Sequence, residues 1–333
     1  MQFHAKRRQQ FLNELAYNNE IKYFNEKGLP RFLKALHEPE NDANDRDRIS
    51  SVLADNIFSN YLLKYTAGES LDILRDNLIK VVEAFECATK YEREFEKSSE
   101  FPFFAFQEID DFERIIQLIS LAILLHRREL IPRIHSLIAN SAYDGKDAMY
   151  EELITHDMPD RPYLDTWYHQ VPYIHLLNAT DDESSEGKIS QLEQYLKIWY
   201  KSMQKATWHD SHLNMSEEGC GAYFGYWAIE AAAIVYLYNI NDSSFRDHIV
   251  YPKDLVDFAR ELDKQTTSTL LTLEKLRVEG GKPCPQAGYW FTPAIPDSLR
   301  HFEQGEIMPV SADSHYGATI WQWSTEQSPP LSQ

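Results

Sequence analysis

Glycine is scarce in this chain, with 12 residues in 333. That argues against glycine-rich phosphate loops and against many-stranded β architectures. Cysteine is scarcer still: Cys87, Cys220 and Cys284. An odd count at wide spacing makes no disulfide framework and no zinc signature, so the three read as buried free thiols in a reducing compartment. Long apolar runs are missing. The densest, Ile115 to Leu125 and Trp227 to Tyr238, are too short to span a bilayer, and each is interrupted, at Gln117 and Glu230. The opening "MQFHAKRRQQFLNEL" has basic residues but no apolar core behind them, unlike a signal peptide. Positive charge is in deficit, 33 Lys and Arg against 52 Asp and Glu, for a net −19. Such a surface repels a phosphate backbone, which disfavours nucleic acid as a direct partner. It favours solubility and fast encounter with a basic partner, although a plain solvated acidic surface is the simpler account of it. Catalytic signatures are absent too: no Gly-x-Ser-x-Gly, phosphate loop, dinucleotide fingerprint or His-Glu-x-x-His occurs. The expectation is a cytoplasmic protein with no cofactor, no metal and no membrane contact.

What is present is core-forming material, 43% apolar and 13% aromatic, in helical periods. Helices are expected over 5–27, 46–66, 69–97, 109–126, 132–140, 163–178 with a kink at Pro172, 189–205, 217–239 and 253–278. Leu71, Leu74, Leu78, Val81, Phe85, Ala88 and Phe95 share one face of the 69–97 helix. The polar segment "SAYDGKDAMYEELITHDMPDRPYLD" is a candidate boundary between two helical parts. From Gly280 onward prolines accumulate, and "GYWFT" and "ATIWQW" read as short strands. The fold class expected is mainly α: a bundle-like array in two parts, 1–145 and 160–265, then a module of short β-strands at 266–333.

Few residues point to chemistry. In "WHDSHL", His209 and His212 are one helical turn apart, with Asp210 between them and Glu217 and Glu218 nearby. They would share an ion only if that segment were helical, and a polar surface loop is the plainer reading. Acidic residues cluster as Glu92, Glu94 and Glu96, as Glu108, Asp110 and Asp111, and as Asp181, Asp182, Glu183 and Glu186. The second group opens a helix ending in Arg127 and Arg128, an order that suits the helix dipole without any function. The third has only Lys188 as a basic counterweight.

"EAAAIVYLYNINDSSFRDH", residues 230–248, opens on a glutamate inside a helix that is apolar on every side. Such a helix is buried, so Glu230 needs a partner or a proton. Arg246 is the nearest candidate in sequence, and a Glu230–Arg246 pair would act as a structural lock.

The block "YFGYWAIEAAAIVYLYNINDSSFRDHIVYPKDLVDFAR", residues 223–260, closely resembles the C-terminal domain of PoNi-type immunity proteins. The resemblance is carried by Tyr223, Gly225, Tyr226, Trp227, Glu230, Asp242, Arg246, Tyr251, Pro252, Asp254 and Leu255. It implies a helical cytosolic protein that binds and neutralises a cognate secreted antibacterial toxin, a DNase of a type VI or related secretion system. The segment after about residue 265 departs from the short family form and is similar to a module appended to some type VI secretion immunity proteins. An acidic inhibitor can be steered onto a basic nuclease surface, which makes the three acidic clusters the candidate toxin contacts. Two other classes compete: a helical scaffold docking a partner through the C-terminal aromatic module, and a metal-dependent hydrolase built on His209 and His212.

Overall fold

The computed structural model describes residues 3–216, 219, 221–274, 276–311, 318–324 and 327, with the backbone alone for 268–274. The chain is mainly α and divides into two units, Met1–Ala259 and Arg260–Gln333.

In the first unit, a short helix α1 (Phe3–Lys6) is followed by a non-helical stretch and then α2 (Glu14–Tyr23). A single π-helical turn, Phe24–Gly28, leads into α3 (Leu29–Leu36). The one long helix expected at 5–27 is therefore broken at its start, because Arg8 and Gln9 are drawn into the body of the fold. Two long helices follow, α4 (Ala43–Ala67) and α5 (Leu71–Glu96), packed as a hairpin. Asp42 caps α4 by accepting from Asp45 N at 2.9 Å. Gly68 ends it in the left-handed region, φ +92°, where a β-carbon would meet Lys6 O at 2.2 Å.

The centre is α6 (Ile109–Leu124), buried from Phe112 to Leu124 except at Arg114. It is followed by α7 (Ile131–His135) and α8 (Ala148–Ile154). α8 lies within the polar segment 141–165 and is itself largely buried. Arg161 holds that segment, donating to Glu151 Oε2 at 2.6 Å and to Asp144 Oδ1 at 2.5 Å. A second hairpin is α9 (Gln170–Asp181) and α10 (Ser185–Ser202), with Ser184 capping α10 by accepting from Gly187 N at 3.0 Å. The helix expected at 163–178 begins only at Gln170, and the Val171–Pro172 peptide is cis.

The apolar helix expected at 217–239 is much shorter, α11 (Ile229–Leu237), and it packs on α6. Residues 221–228 are non-helical, with Gly225 at φ +116°. One continuous apolar core joins these helices, from Leu12 through α4–α6 and α8–α11 to Ala259. α12 (Lys253–Glu274) closes the helical part.

The second unit holds a four-stranded antiparallel sheet: β1 (Arg277–Glu279), β2 (Gly288–Phe291), β3 (Arg300–Phe302) and β4 (Ile320–Trp323), in the order β1-β4-β2-β3. Both aromatic runs are strands, paired in register Trp290 with Trp323. The small core has Trp290, Phe302, Met308, Trp321, Trp323 and Cys284, with Trp290 and Trp323 edge to face at 5.2 Å.

Candidate functional site

Glu230 lies in the first turn of α11 and is fully buried. Its partners come from α10: the Tyr195 hydroxyl and Trp199 Nε1, the latter at 2.9 Å, both donate to Oε1. Oε2 has no hydrogen-bond partner among the described residues. Burial pushes the carboxyl up to about 7 against this pull of the two donors. Arg246 is not its partner. That guanidinium bonds Asp242 Oδ2 at 2.8 Å and also Asp257. The reason is geometric. Glu230 and the 238–246 turn lie at opposite ends of α11, roughly 10 Å apart along the axis at 1.5 Å per residue.

A second buried carboxylate, Glu113 of α6, accepts from Trp208 Nε1 at 2.5 Å and from Gln117 Nε2 at 2.9 Å. Burial raises it well above the ordinary carboxylate range, and repulsion from Glu230 adds to this. Trp199 and Trp208 stack at 5.4 Å between the two acids. This network ties α6, α10 and α11 to the 206–212 segment.

The other residues of the 223–260 pattern form a clamp on the N-terminal segment. Gln9 is buried, and its amide uses all four of its hydrogen-bonding positions. Nε2 donates to Tyr226 O at 2.6 Å and Ile249 O at 2.8 Å, while Oε1 accepts from Tyr226 N at 2.8 Å and from the Tyr223 hydroxyl. Arg8 donates to Asp254 Oδ2 at 2.5 Å, to Tyr65 O at 2.5 Å and to Glu69 O at 3.0 Å, and lies over the Tyr65 ring. Trp227 Nε1 donates to Thr66 Oγ1 at 2.9 Å. Tyr251 donates to Asp242 Oδ2 at 3.1 Å, and Pro252 directly precedes α12. Arg8 and Gln9 fall inside the helix expected at 5–27, and nothing in their polar surroundings marks them as buried.

The acidic residues separate into different settings. Asp181, Glu183 and Glu186 are exposed around the α9–α10 connection. Asp182 accepts from Ser184 N and Oγ, each at 2.8 Å, and these bonds hold its carboxyl below the ordinary range. Glu94 faces outward and pairs with Lys90 at 3.8 Å. Glu92 and Glu96 of α5 instead approach Asp111 of α6 and Asp47 of α4. Burial first, then repulsion from Asp47, Asp111 and Glu96, raises Glu92 to about 8. Its Oε2 is buried with no partner among the described residues. Asp55 of α4 joins the group, raised by burial and by Asp111 and Asp110. Arg114 bridges Asp55 at 3.4 Å and Asp111 at 3.3 Å. Asp110 accepts from Thr207 N at 3.0 Å and Oγ1 at 2.9 Å, and Glu108 is exposed at the start of α6. Asp47 and Asp55 were not picked out in the sequence, because only packing of α4 against α5 and α6 brings them in.

His209 and His212 do not share a helical turn. Asp210 between them has φ +61°, and only His212 falls in the 3-10 turn Ser211–Asn214. The His209 ring stacks on Tyr200 at 4.2 Å, and His212 Nδ1 lies 2.8 Å from the Tyr226 hydroxyl. No group of three or more metal-type ligands occurs among the described residues. Glu217, Glu218 and Cys220 lie outside those residues. Cys87 and Cys284 are free thiols. No helix among the described residues is long and apolar enough to cross a membrane.

Residues 145–255 match the family described as PoNe immunity proteins (PoNi), C-terminal. The crystal structure of protein PA2201 from Pseudomonas aeruginosa is similar in fold, with a TM-score of 0.60 and 20% identity, over 77% of this chain and 92% of that one. No curated protein matches the chain.

Proposed function

We propose that this protein is an immunity protein that binds and neutralises a cognate secreted antibacterial toxin, a DNase of a type VI or related secretion system. The observation that carries the reading is the family match over residues 145–255. The chain acts by binding, in the cytoplasm where such a toxin reaches DNA, and not as an enzyme. A nuclease is basic where it holds phosphate, and a chain of net charge −19 is complementary to it. The strongest candidate contacts are Glu92, Glu96, Asp110 and Asp111 with Asp47 and Asp55. Their mutual repulsion, offset by Arg114 alone among the salt bridges described there, would be relieved by a partner's cations. Glu94, Glu108, Asp181, Asp182, Glu183 and Glu186 are more open and would act in steering.

Co-expression with the gene of the cognate toxin tests this. Rescue of growth and a one-to-one complex are expected, and charge reversal at Asp111 with Glu96 should weaken both. Growth arrest despite a full level of folded protein would sink the reading. A second reading rests on the exposed Ile307 and Val310, 60% and 63% accessible, in the sheet-bearing unit. If partner binding is lost on removing 276–333 while the helical unit stays folded, docking runs through that module instead.

A further inference from the structure

The groove beside α4 has a chemistry of its own. A cleft of about 210 Å³ opens between α2, α4 and the non-helical segment 221–224, walled by Leu12, Leu63, Tyr223 and Phe224. An adjoining cleft of about 200 Å³ shares Ser59, Ala222 and Phe224 with it and carries Asp110 and Glu113. Both are smaller than the ~300 Å³ and upward typical of small-molecule sites, and each has room for a single long side chain.

Two polar groups in the first cleft are acceptors without a donor among the described residues. Asn60 is 5% exposed, and its Nδ2 donates to Asn56 O at 3.0 Å. That bond sets the amide orientation, since the flipped form would place two oxygens together. Oδ1 is then left buried with no partner among the described residues. Glu20 also lines the cleft, and burial alone raises its carboxyl, with no cation contributing. Nearby donors are already committed: the Tyr223 hydroxyl to Gln9, and Asn56 Nδ2 to Val52 O. A buried carbonyl and a desolvated carboxylate above apolar walls call for a cation on a long apolar stem. A guanidinium, with five donors in a plane, can serve both acceptors, whereas an ammonium is a single point.

We propose that the cleft lined by Glu20 and Asn60 is a receptacle for an arginine side chain presented by the partner protein. This rests on the immunity reading for the identity of the partner, but not for the existence of the cleft. The probe is N-acetyl-arginine methylamide, titrated into the full-length, isotope-labelled protein. Saturable shifts at the Asn60 side-chain amide and the Leu63 methyls are expected. They should weaken about tenfold in Glu20→Gln and in Asn60→Leu, and with the lysine analogue. Non-saturating shifts, or shifts equal in both variants, would overturn the proposal. Against the cognate toxin, Glu20→Lys should cost at least about tenfold in affinity, while Glu83→Lys, an equal charge change at an exposed α5 position, should not. Equal affinity for the two variants would overturn the cleft's role and leave the immunity reading standing. If the wild type binds no toxin, that reading fails, and the arginine titration decides the cleft by itself.

Discussion

Glu230 and Gln9 are buried polar residues with opposite electrostatic consequences. Glu230 titrates near 7, against 4.5 for an ordinary glutamate, so the folded state holds a proton that the unfolded chain has released. Its contribution is complete below about pH 4.5 and is lost as pH rises toward 7, a difference worth about 3 kcal/mol. Glu230→Gln cannot lose that proton. Urea unfolding at pH 5 and pH 7 should show the variant gaining on wild type by about 2 kcal/mol at the higher pH, since part of the loss has already occurred at pH 5. A constant offset would mean Glu230 stays charged. Gln9 carries no charge, but Gln9→Leu would strand Tyr226 N, Tyr226 O and Ile249 O in the interior. At about 1–3 kcal/mol each, a loss of at least about 3 kcal/mol is expected in the same assay. Glu230 was legible in the sequence as a buried acid because it interrupts an apolar helix. Its partners were not, since Tyr195 and Trp199 reach it from α10 by tertiary packing alone.

Among the elements, long amphipathic helices were legible and all-apolar segments were not. Expected ranges of 46–66, 69–97 and 109–126 stand against Ala43–Ala67, Leu71–Glu96 and Ile109–Leu124. Periodicity identified these because polar residues recur between the apolar ones, even in α6, where all of 112–124 but Arg114 is buried. The 217–239 stretch has none, so nothing in it marked where helix gives way to the extended 221–228. Gly225 is the physical marker of that change. Its φ is +116°, and a β-carbon there would fall 2.2 Å from Thr66 Oγ1. Gly225→Ala should lower stability by about 2 kcal/mol or more and shift Tm down, whereas tolerance would show that the segment can move away from α4. Strands β1 and β3 went unresolved for a simpler reason: three residues each are too few to show alternation.

For the whole molecule, the question is how an acidic surface becomes a selective one. The sequence showed the charge and three clusters, but spacing along the chain could not say which carboxylates converge. Packing separates Glu94 from Glu92 and Glu96 and adds Asp47 and Asp55. Glu92, raised to about 8, opposes folding increasingly as pH rises from its ordinary range toward that value. Glu92→Gln should therefore raise Tm at about pH 8.5 while weakening the toxin complex, the trade expected where stability is given up for binding. Higher Tm with unchanged affinity would place the toxin elsewhere.

The most direct measurement is the affinity of the purified protein for the proposed cognate toxin, taken between about 50 and 200 mM salt. A one-to-one complex whose affinity falls steeply with salt, and falls further in Glu96→Lys with Asp111→Lys, is the predicted result. No complex at any salt concentration, with both proteins folded, would contradict the proposed function.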